Sequence, residues 1–191
     1  MTNVTLALLK ERRSVKPDML VEPGPTPDEL DILLTIAARV PDHKKLEPWR
    51  FIVFEGEARA KFGDVLAAAC LAEERDPPSE IRIATERNRF LRAPLVVAVI
   101  SHVTESRAAP EWEQIMSVGA ATMNLCIAAN AMGFATSWLT EWAAYSPKVR
   151  EGLGLAANER VAGFVYIGTP RERLPDRPRP DLARIVTRWP G

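Results

Sequence analysis

Cysteine and histidine are scarce in this chain: two of each occur in 191 residues, Cys70 and Cys126, His43 and His102. There is no Cys-x-x-Cys pair and the histidines stand far apart, so no zinc pattern is present and no metal site is expected. Both cysteines fall inside apolar helical patterns, which reads as buried thiols in a reducing compartment. Charge of either sign is not in excess. Lys+Arg and Asp+Glu both number 25, without the basic surplus of a general nucleic-acid binder, and the weak colloidal repulsion is compatible with self-association. The apolar run Val4 to Leu9 is too short for a secretory core and ends in Lys10-Glu11-Arg12-Arg13. The longest apolar stretch, Ile115 to Met132, carries Ser117, Thr122, Asn124 and Asn130 and reads as a buried helix, not a membrane span. These features together lead us to expect a cytoplasmic protein.

Familiar catalytic signatures are missing as well. No G-x-G-x-x-G follows a strand, no Walker sequence occurs, and no G-x-S-x-G elbow is present. His43 and His102 have no serine or cysteine nucleophile at a recognisable spacing, and no paired-carboxylate arrangement stands out. No side chain is therefore expected to be catalytic in its own right. If the chain is an enzyme, a cofactor supplies the reactivity.

What the sequence does contain is a normal share of hydrophobic residues, 47%, enough for one domain spanning residues 1–191 with its own core. A short helix over 3–12 has Val4, Leu6, Leu8 and Leu9 as its apolar contacts. Val15 to Pro25, with three prolines and a glycine, reads as an extended connector. Thr26-Pro27-Asp28-Glu29 is a helix start, with a capping threonine, proline at the first helical position and a glutamate that closes a capping box. Arg50 to Glu55 is apolar on both faces and predicts a central strand. A helix over 57–74 and a polar one from Ser79 to about Arg89 follow. Pro94 to Ile100 is a second strand. Pro110-Glu111-Trp112-Glu113 opens the longest helix, rich in Ala, Gly and Ser and nearly apolar all round, so buried on most sides. Phe134 to Leu139 and Val161 to Gly168 predict further strands, Ser146-Pro147 a short helix, and Leu182 to Val186 a last strand on an extended tail. Strands and helices do not alternate as a βαβ series, which predicts α+β with a mixed or antiparallel sheet.

Three cationic clusters lie at element ends: Arg12-Arg13-Ser14, Arg39 with His43 to Lys45, and Arg171 to Arg179. Taken singly, each is accounted for by solvated surface charge or a helix C-terminus. Arginines beside a serine hydroxyl also suit a phosphate, because the guanidinium fork matches its oxygens. Together with a small-residue helix and Trp138 at a strand end, they suit a flat ring ligand that bears a phosphate.

Four segments in order, Glu11-Arg12-Arg13-Ser14-Val15, Ala38-Arg39-Val40-Pro41-Asp42-His43-Lys44 before Pro48-Trp49-Arg50-Phe51, Ser137-Trp138-Leu139-Thr140 after a Gly-Phe, and Gly163-Phe164-Val165-Tyr166-Ile167-Gly168-Thr169-Pro170, resemble the FMN-dependent nitroreductase family. Pro-Asp-His-Lys and Trp112-Glu113-Gln114 resemble its compact bacterial branch. The resemblance spans nearly the whole chain. It implies an α+β fold with a central sheet of about four to five strands flanked by helices, and a homodimer with exchanged C-terminal extensions and FMN at the interface. It implies hydride transfer from NADH or NADPH through flavin N5 to a nitroaromatic, quinone or similar electron-poor acceptor, in a ping-pong cycle. Arg12, Arg13 and Ser14 would hold the phosphate and ribityl chain, and Arg179 would return to the phosphate. Arg39 and His43 would reach the partner's flavin, and Trp138, Leu139 and Thr140 would line the flavin edge. The family often has glycine after Trp-x-Thr, whereas this chain has Glu141 and Trp142, which bear on the substrate channel. A non-catalytic flavin-binding or flavin-handling protein, its acceptor site closed by Trp142, is the alternative.

Overall fold

The computed structural model describes residues 3–190. Seven α-helices and five strands are found among them: α1 Val4–Glu11, β1 Leu20–Val21, α2 Pro27–Ala37, β2 Trp49–Phe54, α3 Glu57–Glu73, α4 Glu80–Arg87, β3 Leu95–His102, α5 Glu111–Ala131, β4 Ala135–Leu139, α6 Pro147–Gly152, β5 Glu159–Pro170 and α7 Leu182–Ile185. All strand pairs are antiparallel: β2 with β3, and β3, β4 and β1 with the long β5. This is an α+β fold with a five-stranded antiparallel sheet flanked by helices.

Alternation along the strands builds two apolar layers. Val96, Ala98 and Ile100 of β3, with Phe164 and Tyr166 of β5, pack against Phe62 and Leu66 of α3 and Val149 of α6. Phe90, in the 3-10 turn Arg89–Arg92, completes an aromatic group there, with ring centroids 5.0 Å from Phe54 and 5.2 Å from Phe164. The alternate residues Leu95, Val97, Val99, Val165 and Ile167 face Leu30 and Leu33 of α2 and Val118, Leu125 and Ala129 of α5. Each such buried aliphatic or aromatic side chain stabilises the fold by about 1.5–3 kcal/mol relative to exposure.

Most helix ends follow the sequence signals. Thr26 and Glu29 form the expected capping box, Ser79 caps α4 and Ser146 caps α6. Three expectations change. The Arg50–Glu55 segment is a strand, but it pairs only with β3 and lies at the sheet edge. Its two apolar faces reflect two covering layers, Phe51 and Val53 on one and Ile52 and Phe54 on the other, and not two strand neighbours. The segment Leu182–Ile185 is helical, capped by the Asp181 side chain on Ala183 N. The connector after Val15 also holds a 3-10 turn, Pro17–Met19, and the short β1, which pairs with Thr169 and Pro170. In addition, α1 forms as expected but buries none of its residues within the chain.

One bond outside the sheet ladder positions the site. Val15 N donates to the Thr136 carbonyl at 3.0 Å, so the segment after α1 runs along β4. Among the described residues no helix is long and apolar enough to cross a membrane.

Candidate functional site

Three of the expected cations converge where α1 ends. Arg12 is the residue at the C-terminal cap of α1, and its carbonyl accepts from Arg179 Nη2 at 3.3 Å. Arg13 donates from Nη1 to the Pro175 carbonyl and from Nε to the Ser14 carbonyl at 3.4 Å. The returning tail is fixed at two further points: Arg179 Nη2 bonds Asp176 Oδ1 at 2.6 Å, and Arg173 Nη2 bonds Glu11 Oε2 at 2.6 Å. The Arg179 hydrogen bond, with Arg177 N–H, holds the Asp176 carboxyl below its ordinary range. Ser14 is exposed beside them. Arg12 Nε is buried and, among the described residues, has no hydrogen-bond partner. A buried donor on a guanidinium without an acceptor is unfavourable unless a ligand supplies one. Arg12 also acts on Cys126, whose thiol is pushed up by burial while a bond to Thr136 and the Arg12 charge oppose the rise.

Trp138, Leu139 and Thr140 follow along β4, two residues beyond the Thr136 that bonds Val15. Trp138 owes its pose to β5. The β3–β5 register shifts between Val99 and Ile100, leaving Ala162 as a bulge, and the Ala162 carbonyl accepts from Trp138 Nε1 at 3.2 Å. Gly163 makes room for the ring, because a Cβ there would stand 2.1 Å from Trp138 Nε1. The indole thereby forms one wall of a cavity of about 450 Å³, closed by Ile115, Val118 and Gly119 of α5 and by Val161, with Glu111 and Arg160 also on its lining. This size and apolar character suit a planar organic ligand.

Arg39 and His43 lie elsewhere, on a loop docked to α5. Asn124 Nδ2 donates to the Arg39 carbonyl at 3.0 Å and to the Ile36 carbonyl at 3.3 Å, and Ser117 Oγ donates to the Pro41 carbonyl. His43 Nδ1 pairs with Glu113 Oε2 at 2.7 Å. The Asp42 carboxylate accepts from Leu46 N and Glu47 N at 3.0 and 2.9 Å. These bonds hold a tight loop in which Lys44, Lys45 and Glu47 all have positive φ. Arg39 and His43 remain exposed.

At the exit from β4 stand Glu141 and Trp142, already set apart in the sequence, and with them Glu86, Arg89 and Arg92, which sequence reasoning did not single out. Glu141 has φ 50° and pairs with Arg89 and Arg92. Glu86, fully buried, binds Arg89 and Arg82 and accepts from Trp142 Nε1 at 2.8 Å. Burial opposes the charge on Arg89, yet its bonds to Glu86 and Glu141 win and its pKa rises. Burial works against the Glu86 carboxylate too, and is outweighed by its bonds to Arg89 and Trp142 and by the Arg82 charge, so its pKa falls. Glu86, Arg89 and Arg92 stand three residues apart, a helical-face spacing that was the available signal. Trp142 packs with the layer of α3 and Phe90 and is not on the lining of the Trp138 cavity.

The family model described as Nitroreductase family matches residues 9–169. The chain is 40% identical over 166 residues to YdjA of Escherichia coli (strain K12), named provisionally as an NAD(P)H nitroreductase, a match covering 87% of this chain and 88% of that protein. The fold is similar to the crystal structure of a nitroreductase-like family protein from Bacillus cereus, with a TM-score of 0.83, 25% identity, and coverage of 100% of this chain and 98% of that one. It is also similar to a protein from Desulfovibrio desulfuricans, named provisionally as a nitroreductase and crystallised with FMN, with a TM-score of 0.73 at 20% identity over 100% of this chain and 99% of that one.

Proposed function

Since the chain belongs to the nitroreductase family, we propose that it is an FMN-dependent NAD(P)H oxidoreductase acting on nitroaromatic, quinone or related electron-poor acceptors. The observation that carries the cofactor assignment is the buried Arg12 Nε, without a partner among the described residues, beside Arg13 and Arg179 at the edge of β4. This is the donor set an anionic phosphate needs, and it adjoins a strand that ends in a cavity walled by an indole. The named FMN complex and the named NAD(P)H relative support the same reading.

In this reading Arg12, Arg13 and Arg179 bind the phosphate, with Ser14 beside it, and Trp138, Leu139 and Thr140 orient the ring. When bound, FMN would supply two-electron hydride chemistry between NADH or NADPH and the acceptor, in a ping-pong cycle. The chain's part is to stack the ring and exclude water, for which Trp138 and the aliphatic residues of α5 and β5 are suited. No side-chain acid is required of it.

Arg39 and His43 are read as reaching the flavin of a second copy, which makes the working unit a homodimer. Exposed apolar side chains support this: Val4 on α1, Met116 on α5, and Leu182, Ile185 and Trp189 on the tail, Trp189 being 91% exposed. Residues 1–191 are read as one domain that works in the cytoplasm.

The test is anaerobic. Purified protein loaded with FMN is mixed with NADH or NADPH. Loss of the flavin band within seconds, restored by a nitroaromatic or a quinone, is expected. A flavin band that persists under both reductants would reject the enzyme reading in favour of a flavin-handling protein.

A further inference from the structure

The turn leaving β4 is tied down by charges that the proposed cofactor contacts do not use. Glu141 sits at φ 50°, ψ −171°, a backbone conformation that glycine adopts freely and a residue with a Cβ does not. Its Oε2 lies 2.5 Å from Arg89 Nη1 and 3.1 Å from Arg92 Nη2. Arg89 is itself bound by Glu86, which also accepts from Trp142, the next residue of the turn. Arg92 further donates to Tyr166 Oη at 3.0 Å. Two consecutive turn residues are therefore anchored to one ionic cluster beneath the sheet.

The placement of this anchor matters because Thr140 precedes it directly. The angle φ is the rotation about the bond from Glu141 N to its Cα, so a side chain held at both guanidiniums fixes the plane of the Thr140–Glu141 peptide. We propose that Glu141 is a positioning residue: Arg89 and Arg92 grip its carboxylate and so set the direction in which Trp138–Thr140 is presented to the flavin. Glycine at this position satisfies the backbone but leaves the turn free to rotate, whereas glutamate accepts strain and gains a fixed direction. The inference rests on the FMN reading above and adds a residue whose carboxylate is committed to Arg89 and Arg92.

The test uses two substitutions that release the anchor. Glu141→Gly also removes the Cβ and with it the backbone strain, whereas Glu141→Asn keeps a Cβ in the same conformation and is too short to span to both arginines. FMN dissociation constants are measured by fluorescence titration of the apoprotein, alongside the position of the bound-flavin visible band. Both variants are expected to bind FMN about tenfold more weakly than wild type, and with a shifted band. Thermal midpoints are recorded in parallel, since a role confined to stability lowers the midpoint but leaves the band in place. Wild-type affinity and an unshifted band in whichever of the two variants folds overturns the inference. Wild-type protein that takes up no FMN overturns the cofactor reading itself, and this inference with it.

Discussion

Val15 and Thr136 are joined by a 3.0 Å backbone hydrogen bond between residues far apart in sequence. That bond brings the arginine pair at the end of α1 alongside β4, the strand that carries Trp138. On the proposed reading, it is the relationship that makes one site of separate sequence motifs.

Arg12→Ala removes a buried donor that has no acceptor within the described chain. FMN affinity is expected to fall by about 1.5–3 kcal/mol, the value of a hydrogen bond to a charged group, while the apoprotein loses little stability. Fluorescence titration of FMN reads the first and denaturant melting of the apoprotein the second. Unchanged FMN affinity would remove Arg12 from the phosphate site.

Arg89→Ala breaks a buried ion pair and strips Glu141 of its shorter contact. Glu86 remains fully buried with less compensation. A loss of about 3–5 kcal/mol is expected, reduced toward the lower end because Arg82 still reaches Glu86. The urea midpoint measures it.

Acid should weaken the Arg50–Glu159 pair within a definable window. The Arg50 hydrogen bond, aided by Ala156 N–H and opposed by burial, pulls the Glu159 carboxyl down to about 2 from an ordinary 4.5. A carboxyl depressed on folding contributes stability above its unfolded pKa and loses it as pH falls through the folded one. The contribution is therefore lost progressively as pH falls from about 4.5 through about 2. Because Arg50 is 40% exposed, solvent screening limits it to about 1–2 kcal/mol. Wild type should lose more stability than Glu159→Gln between pH 5 and pH 2, and parallel curves in urea titrations would refute the assignment.

Gly163→Ala places a methyl group 2.1 Å from Trp138 Nε1 and 2.4 Å from its Cδ1. The ring must leave its bond to the Ala162 carbonyl, with an expected loss of about 1–3 kcal/mol. Unaltered thermal stability and unaltered tryptophan emission would show that the ring is not pinned there.

Light scattering at micromolar concentration should give twice the 21.2 kDa chain mass. A monomer would remove the partner's Arg39 and His43 from the flavin.

Local signals were legible in the sequence. The Thr26–Glu29 capping box and the start of α5 at Pro110 are read from neighbouring residues, and both formed where expected. Edge position was not legible for β2, because side-chain alternation reports which faces are covered and says nothing of hydrogen-bond neighbours. Leu182–Ile185 was mistaken for a strand because a single helical turn gives too few residues to establish a period. The convergence of Arg12, Arg13 and Arg179 was anticipated through the resemblance. The Glu141 anchor was not: Arg92 and Glu141 are 49 residues apart, and nothing local in Thr-Glu-Trp announces a positive φ. The docking of the Arg39 loop by Asn124 and Ser117 was hidden in the same way, since both polar residues looked like interruptions of an apolar helix.

The helix that leads into Arg12 and Arg13 has no buried residue of its own. On the proposed reading, the grip on the phosphate is therefore held by the Val15–Thr136 bond and the returning tail, and not by packing of α1. Fraying of the amino-terminal turns then leaves the prosthetic group in place, and those ties set how long the protein stays yellow.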